Sequence, residues 1–373
     1  MNTHVAAPGR FRTDLEAGAF PVTAEIGPPR GADAGAIVRK VLRLCDWVAA
    51  VNITDNQGAA VRLSSWAGSL AAMTAGVEPI MQVTCRDRNR IALQSDLLGA
   101  SAMGIPNVLV MTGDHPRFGD HASAKPVFDL DSVQLLWAAR TMRDEGKLLS
   151  GRELDPAPSW FLGAVENPSA PPVDFRAARL AKKVAAGAQF VQTQYVFDAA
   201  AFGRWMSQVR DLGLHERCYI LAGVGPICSL RALSHLQQRV PGVQVPAGLA
   251  RRLRGVPAER LADEAMTACA ETISELRQIP GVAGVHVMAT GNEHRIPAIL
   301  RLAGLAEVGG EAAPAATAGR RLARDEVGGE AGAAATAGRR LARADATRGG
   351  LGGSSPRGNA GGSSPRGNRA HAG

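Results

Sequence analysis

The stretch NVLVMTGDHPRFGDH, residues 107–121, begins with an apolar run at 107–111 and stops on Thr112, Gly113 and Asp114. A short β-branched run that ends on polar residues and is followed by a helix-like pattern, here 131–145, reads as one strand-then-helix unit. The unit recurs on both sides. Further strands are expected at 21–26, 47–53, 78–84, 160–165, 189–194, 218–224 and 283–288. Helical stretches are expected at 33–44, 60–75, 89–103, 174–186, 198–211, 227–239 with 257–277, and 295–303. Eight strands, each followed by a helix, within residues 20–305 give the count and size of an α/β (β/α)8 barrel. A doubly wound open sheet is the alternative, but the G-x-G-x-x-G turn of a dinucleotide-binding fold is absent.

This reading divides the chain into an N-terminal arm (1–19), a barrel (20–305) and a tail (306–373). The tail differs in kind. EVGGEAAPAATAGRRLARD at 307–325 recurs almost unchanged at 326–344, and GGSSPRGN at 352–359 recurs at 361–368. Such low-complexity sequence lacks the apolar content to offset the entropy of ordering, so the tail is expected to be disordered. Its ten Arg against six acidic residues also account for half of the net charge of +8. The remainder of the charge is modest for the barrel, and 4% aromatic residues are too few for base-stacking platforms, so nucleic acid is not an expected partner. No apolar run approaches the roughly 20 residues needed to cross a bilayer. The first 18 residues lack a secretory core, which makes a cytoplasmic protein without a membrane partner the expectation. The five cysteines contain no C-x-x-C pair and read as buried free thiols.

In a (β/α)8 barrel the C-terminal strand ends form the active face. Here they carry Glu25, Asn52 with Asp55, Gln82 with Thr84, Thr112 with Asp114, Glu166 with Asn167, Gln192 with Gln194, and Asn292 with Glu293. Helix caps and turns account for some of these, Asp55 and Asn167 among them. They account poorly for Glu25 and Gln194, because neither type is a favoured cap. Glu25, beside Ile26 and two prolines, is expected to be partly desolvated, with a raised pKa suited to donating a proton. A structural salt bridge is the other reading. The two Gly-Asp-His triplets match no common metal-ligand spacing, so no metal is expected. Asp114 would repel a phosphate; the second triplet, Asp120 with His121, reads as solvated rim.

TAEIGPPRG (23–31), VTCRDRN (83–89), TGDHP (112–116), LAKKVAAGAQFVQTQYVFD (180–198) and LAGVGPI (221–227) occur in the order, and nearly the spacing, of methylenetetrahydrofolate reductases. From residue 20 to 303 the chain resembles that family in a divergent form. The resemblance implies a flavoprotein barrel in which NAD(P)H reduces bound FAD, with FMN the other candidate. The flavin then reduces 5,10-methylenetetrahydrofolate to 5-methyltetrahydrofolate. It further implies that Glu25 is the general acid, that Asp114 lies between flavin and pterin, and that Gln194 touches both substrates. Lys182 and Lys183 match a basic pair facing the FAD diphosphate, an ordinary solvated helix face being the plain alternative. Asn52, Asp55, Gln82, Thr84, Thr112 and Gly113 fall at flavin-lining positions.

The chain departs from the family where Thr112 stands for the usual arginine, Gln82 for the usual histidine, and Glu293 for an arginine near the last strand, with Arg295 two positions along. A strand-end tyrosine is missing from GAVENPSAPP, and Ala232 lies near the place of a glutamine. Two other readings therefore stand beside the reductase: a folate-handling subunit that takes electrons from a protein partner, and a non-catalytic binding barrel. Homo-oligomerisation is left open.

Overall fold

In the computed structural model, which describes residues 9–305 and Glu307, eight parallel strands close into a barrel in the order β1 to β8. The strands are β1 (Val22–Ile26), β2 (Ala50–Ile53), β3 (Pro79–Thr84), β4 (Asn107–Met111), β5 (Phe161–Glu166), β6 (Phe190–Tyr195), β7 (Tyr219–Val224) and β8 (Val282–Val287). Each coincides with an expected strand to within a residue or two at most ends. β2 is the exception, because Trp47, Val48 and Ala49 pack as a buried approach to the strand rather than within it. The expected disorder of 306–373 lies outside the described residues.

The helices are α1 (Arg10–Glu16), α2 (Ala34–Val41), α3 (Ser65–Thr74), α4 (Arg90–Ala102), α5 (Ser132–Asp144), α6 (Arg176–Ala185), α7 (Ala199–Asp211), α8 (Leu230–Arg239), α9 (Ala247–Arg254), α10 (Leu261–Arg277) and α11 (Ile296–Leu302). Their starts follow from side-chain caps. Asp33, Ser64, Asn89, Asp198 and Ser229 each accept a bond from a first-turn N–H, and Asp131 with Gln134 forms a reciprocal capping box.

Side chains alternate across the barrel wall. Outward residues such as Val51, Val83, Val108, Val110, Leu162 and Val191 pack beneath the helices in the main core. Inward residues form layers. The lowest holds Ala50, Ile80, Leu109, Phe161, Phe190 and Leu221. α1 closes it from below. Its Phe11 is fully buried, 5.2 Å edge-on from Phe190 and 5.9 Å from Phe161, while Phe161 stacks on Phe190 at 5.0 Å. Burying one such ring stabilises by about 2–3 kcal/mol, so α1 is a structural plug for the barrel floor.

The next layer is polar. Asn52 donates to Gln192 Oε1 at 2.6 Å, and Gln192 Nε2 donates back to Asn52 Oδ1 at 3.1 Å and to Thr23 Oγ1 at 3.0 Å. Thr23 Oγ1 in turn lies 2.9 Å from His286 Nδ1. Buried polar groups are tolerated when they satisfy one another, and this closed network is the shelf on which the mouth of the barrel rests.

Candidate active site

A cavity of about 580 Å³ opens above that shelf at the C-terminal strand ends, a volume ordinary for a small-molecule site. Of the residues singled out in the sequence, Glu25, Asp55, Gln82, Thr84, Thr112, Gly113, Asp114, Lys183 and Gln194 line it. Asn52 and Lys182 stand apart. Asn52 is fully buried in the shelf beneath, and Lys182 is exposed, its ammonium 5.4 Å over the Phe175 ring.

Glu25 projects from β1 into this cavity. Desolvation by burial raises its pKa; a hydrogen bond from Gln82 and one from Thr290 act in the opposite direction, and the Glu293 carboxylate adds to the rise. Thr290 Oγ1 donates to Glu25 Oε1 at 3.4 Å. Burial dominates, so the carboxyl holds its proton to higher pH than an ordinary glutamate.

Across the mouth, Asp55 accepts from Thr84 N at 2.8 Å and Thr84 Oγ1 at 2.9 Å, and pairs with Arg88. It therefore fixes the end of β3 to the loop after β2. Thr112 donates to Ser132 Oγ at 3.1 Å. Gly113 adopts φ +88°, and a Cβ there would lie 2.9 Å from Thr84 Cβ, so glycine alone lets the chain turn at the top of β4 and present Asp114. Gln194 turns its amide oxygen back to accept from Tyr195 N at 2.9 Å.

Cations complete the wall, Lys183 expected from the sequence and three arginines missed there. Arg86 lines the cavity with its side chain 3% exposed, donating to Asp87 at 2.7 Å and toward the Asn56 carbonyl at 3.3 Å. Arg176, Arg179 and Lys183 project from α6 around the buried Glu166, at 3.8, 4.0 and 2.9 Å respectively. Spacings of three and four residues place these three cations on one helical face, a legible signal, and leave Lys182 off it. Burial pushes the Lys183 pKa down against the opposing pull of Glu166.

The two triplets separate as expected, with one addition. Asp114 is at the cavity, whereas Asp120 is exposed and both of its carboxylate oxygens lie 3.2 Å from Val61 N, clasping the β4 loop to the β2 loop. Glu293 also has a partner: it pairs with Lys40 at 2.9 Å.

The family model for methylenetetrahydrofolate reductase matches residues 10–304. The chain belongs to the methylenetetrahydrofolate reductase family. Among curated relatives, a Caenorhabditis elegans protein described as a probable methylenetetrahydrofolate reductase (NADPH) is 24% identical over 242 residues, covering 63% of this chain and 34% of the relative. Methylenetetrahydrofolate reductase 2 of Saccharomyces cerevisiae is 29% identical over 188 residues, covering 49% of this chain and 29% of the relative. The chain thus matches about a third of the length of these relatives, at the modest identity of a divergent branch. In fold it is similar to a Clostridium thermocellum protein described as binding two copies of 5-methyl-5,6,7,8-tetrahydrofolic acid, with a TM-score of 0.57, 14% identity, and coverage of 78% of this chain and 97% of that one. No helix among the described residues is long and apolar enough to cross a membrane.

Proposed function

We propose that the barrel reduces 5,10-methylenetetrahydrofolate to 5-methyltetrahydrofolate with electrons from NAD(P)H, Glu25 acting as the proton donor. The observation that carries this reading is a desolvated carboxyl group with a raised pKa, facing a polar cavity at the strand ends of a chain in this family. A glutamate that holds its proton to higher pH than usual can protonate a bridging nitrogen of the substrate, which opens the ring to a reducible iminium. Asp114 supplies a negative charge at the rim to oppose the cationic iminium, and Gln194 offers an amide to the pterin edge.

A flavin, FAD or FMN, would supply hydride transfer between the two substrates. The residues fit it at one end. Arg176, Arg179 and Lys183 outnumber Glu166 around the α6 side of the cavity, an excess of positive charge suited to phosphate groups. On this reading Lys183, Thr84, Thr112 and Gly113 hold the cofactor, with Asp55 fixing Thr84. Asn52 acts through the polar shelf below, and Lys182 contributes long-range charge. Gln82 and Thr112, both neutral, would offer a flavin ring uncharged contacts.

The test is anaerobic stopped-flow mixing of the protein, with and without added flavin, first with NADH or NADPH and then with 5,10-methylenetetrahydrofolate. The reading expects 5-methyltetrahydrofolate to form, and Glu25→Gln to abolish that step while leaving oxidation of NAD(P)H intact. Absence of product under every condition, or full folate reduction by the variant, would refute it.

A further inference from the structure

We propose that Arg86 is a cofactor-binding residue at the ring end of the cavity: its guanidinium receives the electron-rich carbonyl edge of a bound flavin and favours the reduced ring. The proposal rests on the reading of the cavity as a flavin site.

Arg86 stands two residues past Thr84 at the exit of β3, and both line the cavity together with Thr112, Gly113 and Asp114. A Cβ at Gly113 would lie 2.9 Å from Thr84 Cβ and 3.3 Å from Arg86 Cβ, so the stem of Arg86 runs against the bend at the top of β4. Its main chain is pinned as well. Val127 N, in the long loop after β4, donates to the Arg86 carbonyl at 2.8 Å. Asp87 fixes the head of the side chain, accepting from Nε at 2.8 Å and from Nη2 at 2.7 Å. The remaining bonds are long: Nη2 lies 3.3 Å from the Asn56 carbonyl and Nη1 3.5 Å from the Asp114 carbonyl. These four contacts leave one of the five guanidinium N–H groups, on Nη1, without an acceptor among the described residues.

A staple between loops needs no such group. Two carbonyls at the limit of hydrogen-bond reach hold little, and a cation resists burial. The Arg86 side chain is nevertheless 3% exposed. Burial opposes its charge, but the Asp87 hydrogen bonds and the carboxylates of Asp87, Asp55 and Asp114 together outweigh it, so the guanidinium stays ionised. Those three carboxylates make it the wrong pole for a phosphate. Arg176, Arg179 and Lys183, by contrast, gather around a single carboxylate, Glu166. A fixed cation among carboxylates suits an acceptor that is uncharged when it enters and gains negative charge later. The carbonyl edge of a flavin ring is such a group, neutral when oxidised and electron-rich when reduced. Arg86 also lies beside Thr84, Thr112 and Gly113, the residues read above as holding the cofactor.

The experiment uses the full chain and the variants Arg86→Met and Asp87→Asn, each loaded with whichever of FMN or FAD the parent binds. Fluorescence titration gives the affinity for oxidised flavin, an anaerobic dye-equilibrated titration gives the potential of the bound flavin, and melting curves report the fold. Arg86→Met should hold reduced flavin about tenfold more weakly relative to oxidised flavin, which lowers the two-electron potential by about 30 mV. Asp87→Asn should raise the potential, because the guanidinium keeps its charge with one opposing charge fewer. A residue that only staples loops would weaken both forms alike and shift melting curves without moving the potential. An unchanged potential in Arg86→Met, or shifts of the same sign in the two variants, overturns the proposal. If Arg86→Met folds poorly or holds no flavin, Asp87→Asn decides: a rise supports the proposal, and no change or a fall overturns it. A parent chain that binds neither FMN nor FAD refutes the flavin reading itself, a different failure, and the proposal falls with it.

Discussion

Gln82 from β3 and Glu25 from β1 line the same cavity, where the Gln82 amide favours the ionised form of the Glu25 carboxyl. The residue that departs from its family's histidine is thus an uncharged partner of the proposed acid, and its amide opposes the larger effect of burial. Replacing Gln82 by Met removes that donor while keeping volume. The sign is definite: without the bond the carboxyl holds its proton more tightly, so the alkaline fall of the folate-reducing step should move to higher pH. Rates on the plateau should also drop, by about tenfold, as Glu25 loses one of two groups that orient it. A pH–rate profile of the variant that overlays the parent would show that the bond does not reach the chemistry.

The adjacent lysines predict opposite outcomes. Lys183 is 3% exposed and holds the buried Glu166, whereas Lys182 is exposed over Phe175. Lys183→Met removes one partner of a buried pair and leaves Glu166 to two more distant arginines, at a cost of about 3 kcal/mol. Lys182→Met should change stability by less than about 0.5 kcal/mol. Urea denaturation of the two variants checks this. Titration with flavin or with NAD(P)H should show weaker binding for Lys183→Met and little change for Lys182→Met.

This contrast also shows where sequence reading runs out. The barrel was legible because every strand is a short apolar run, all but β7 ending in polar residues, and most helices begin at an Asp, Asn or Ser cap; those signals are local. Glu25, Asp114 and Gln194 were legible for the same reason, since a strand end fixes where its side chain points. α1 was passed over as an arm because seven residues with only Phe11 and Leu15 buried carry too little periodicity to distinguish a plug from a tail. α9 was hidden between prolines, its Ala250 and Leu253 packing in a small cluster with Ile227, Leu233 of α8, and Leu261 and Ala265 of α10. Arg86 and the Lys40–Glu293 pair required knowledge of which loops meet: Lys40 and Glu293 are 253 residues apart. Asn52 illustrates the converse, a strand-end amide whose cross-barrel partner Gln192 keeps it below the cavity.

His286 makes a pH prediction for the fold itself. Its folded pKa is pushed down from 6.5 to about 3 by burial, and it is bonded to Thr23 in the shelf. Between those values the unfolded chain binds a proton that the folded protein refuses, so the neutral imidazole's contribution is intact above about pH 6.5 and is lost as pH falls toward 3. His286→Gln preserves a hydrogen-bonding group without the titration. Thermal unfolding followed from neutral to mildly acidic pH should show the parent losing stability more steeply than the variant. Parallel curves would mean that the imidazole accepts its proton in the folded barrel.

Gly119 tests whether the two loops over the cavity act as one unit. A Cβ at this position would lie 1.8 Å from the Ala59 carbonyl oxygen, a contact with backbone that no rotamer can relieve. The β2 and β4 loops are pressed together there and clasped next door by Asp120 on Val61 N. The β2 loop is itself tightly wound, with Asn56 at φ 48° and Ala59 at φ 57°. Gly119→Ala must therefore push the loops apart. Because the contact lies at the exposed rim, away from the core, the expected stability loss is about 1 kcal/mol. Gly58 and Asp114, however, line the cavity from these same two loops. Their separation should raise KM for the folate several-fold with a smaller effect on kcat, and Asp120→Ala should reproduce part of that change by releasing the clasp alone. Steady-state kinetics on both variants, beside their melting curves, measure it. Equal loss of KM and stability would place the contact in the fold, whereas unchanged kinetics in both would show that the loops meet without shaping the site.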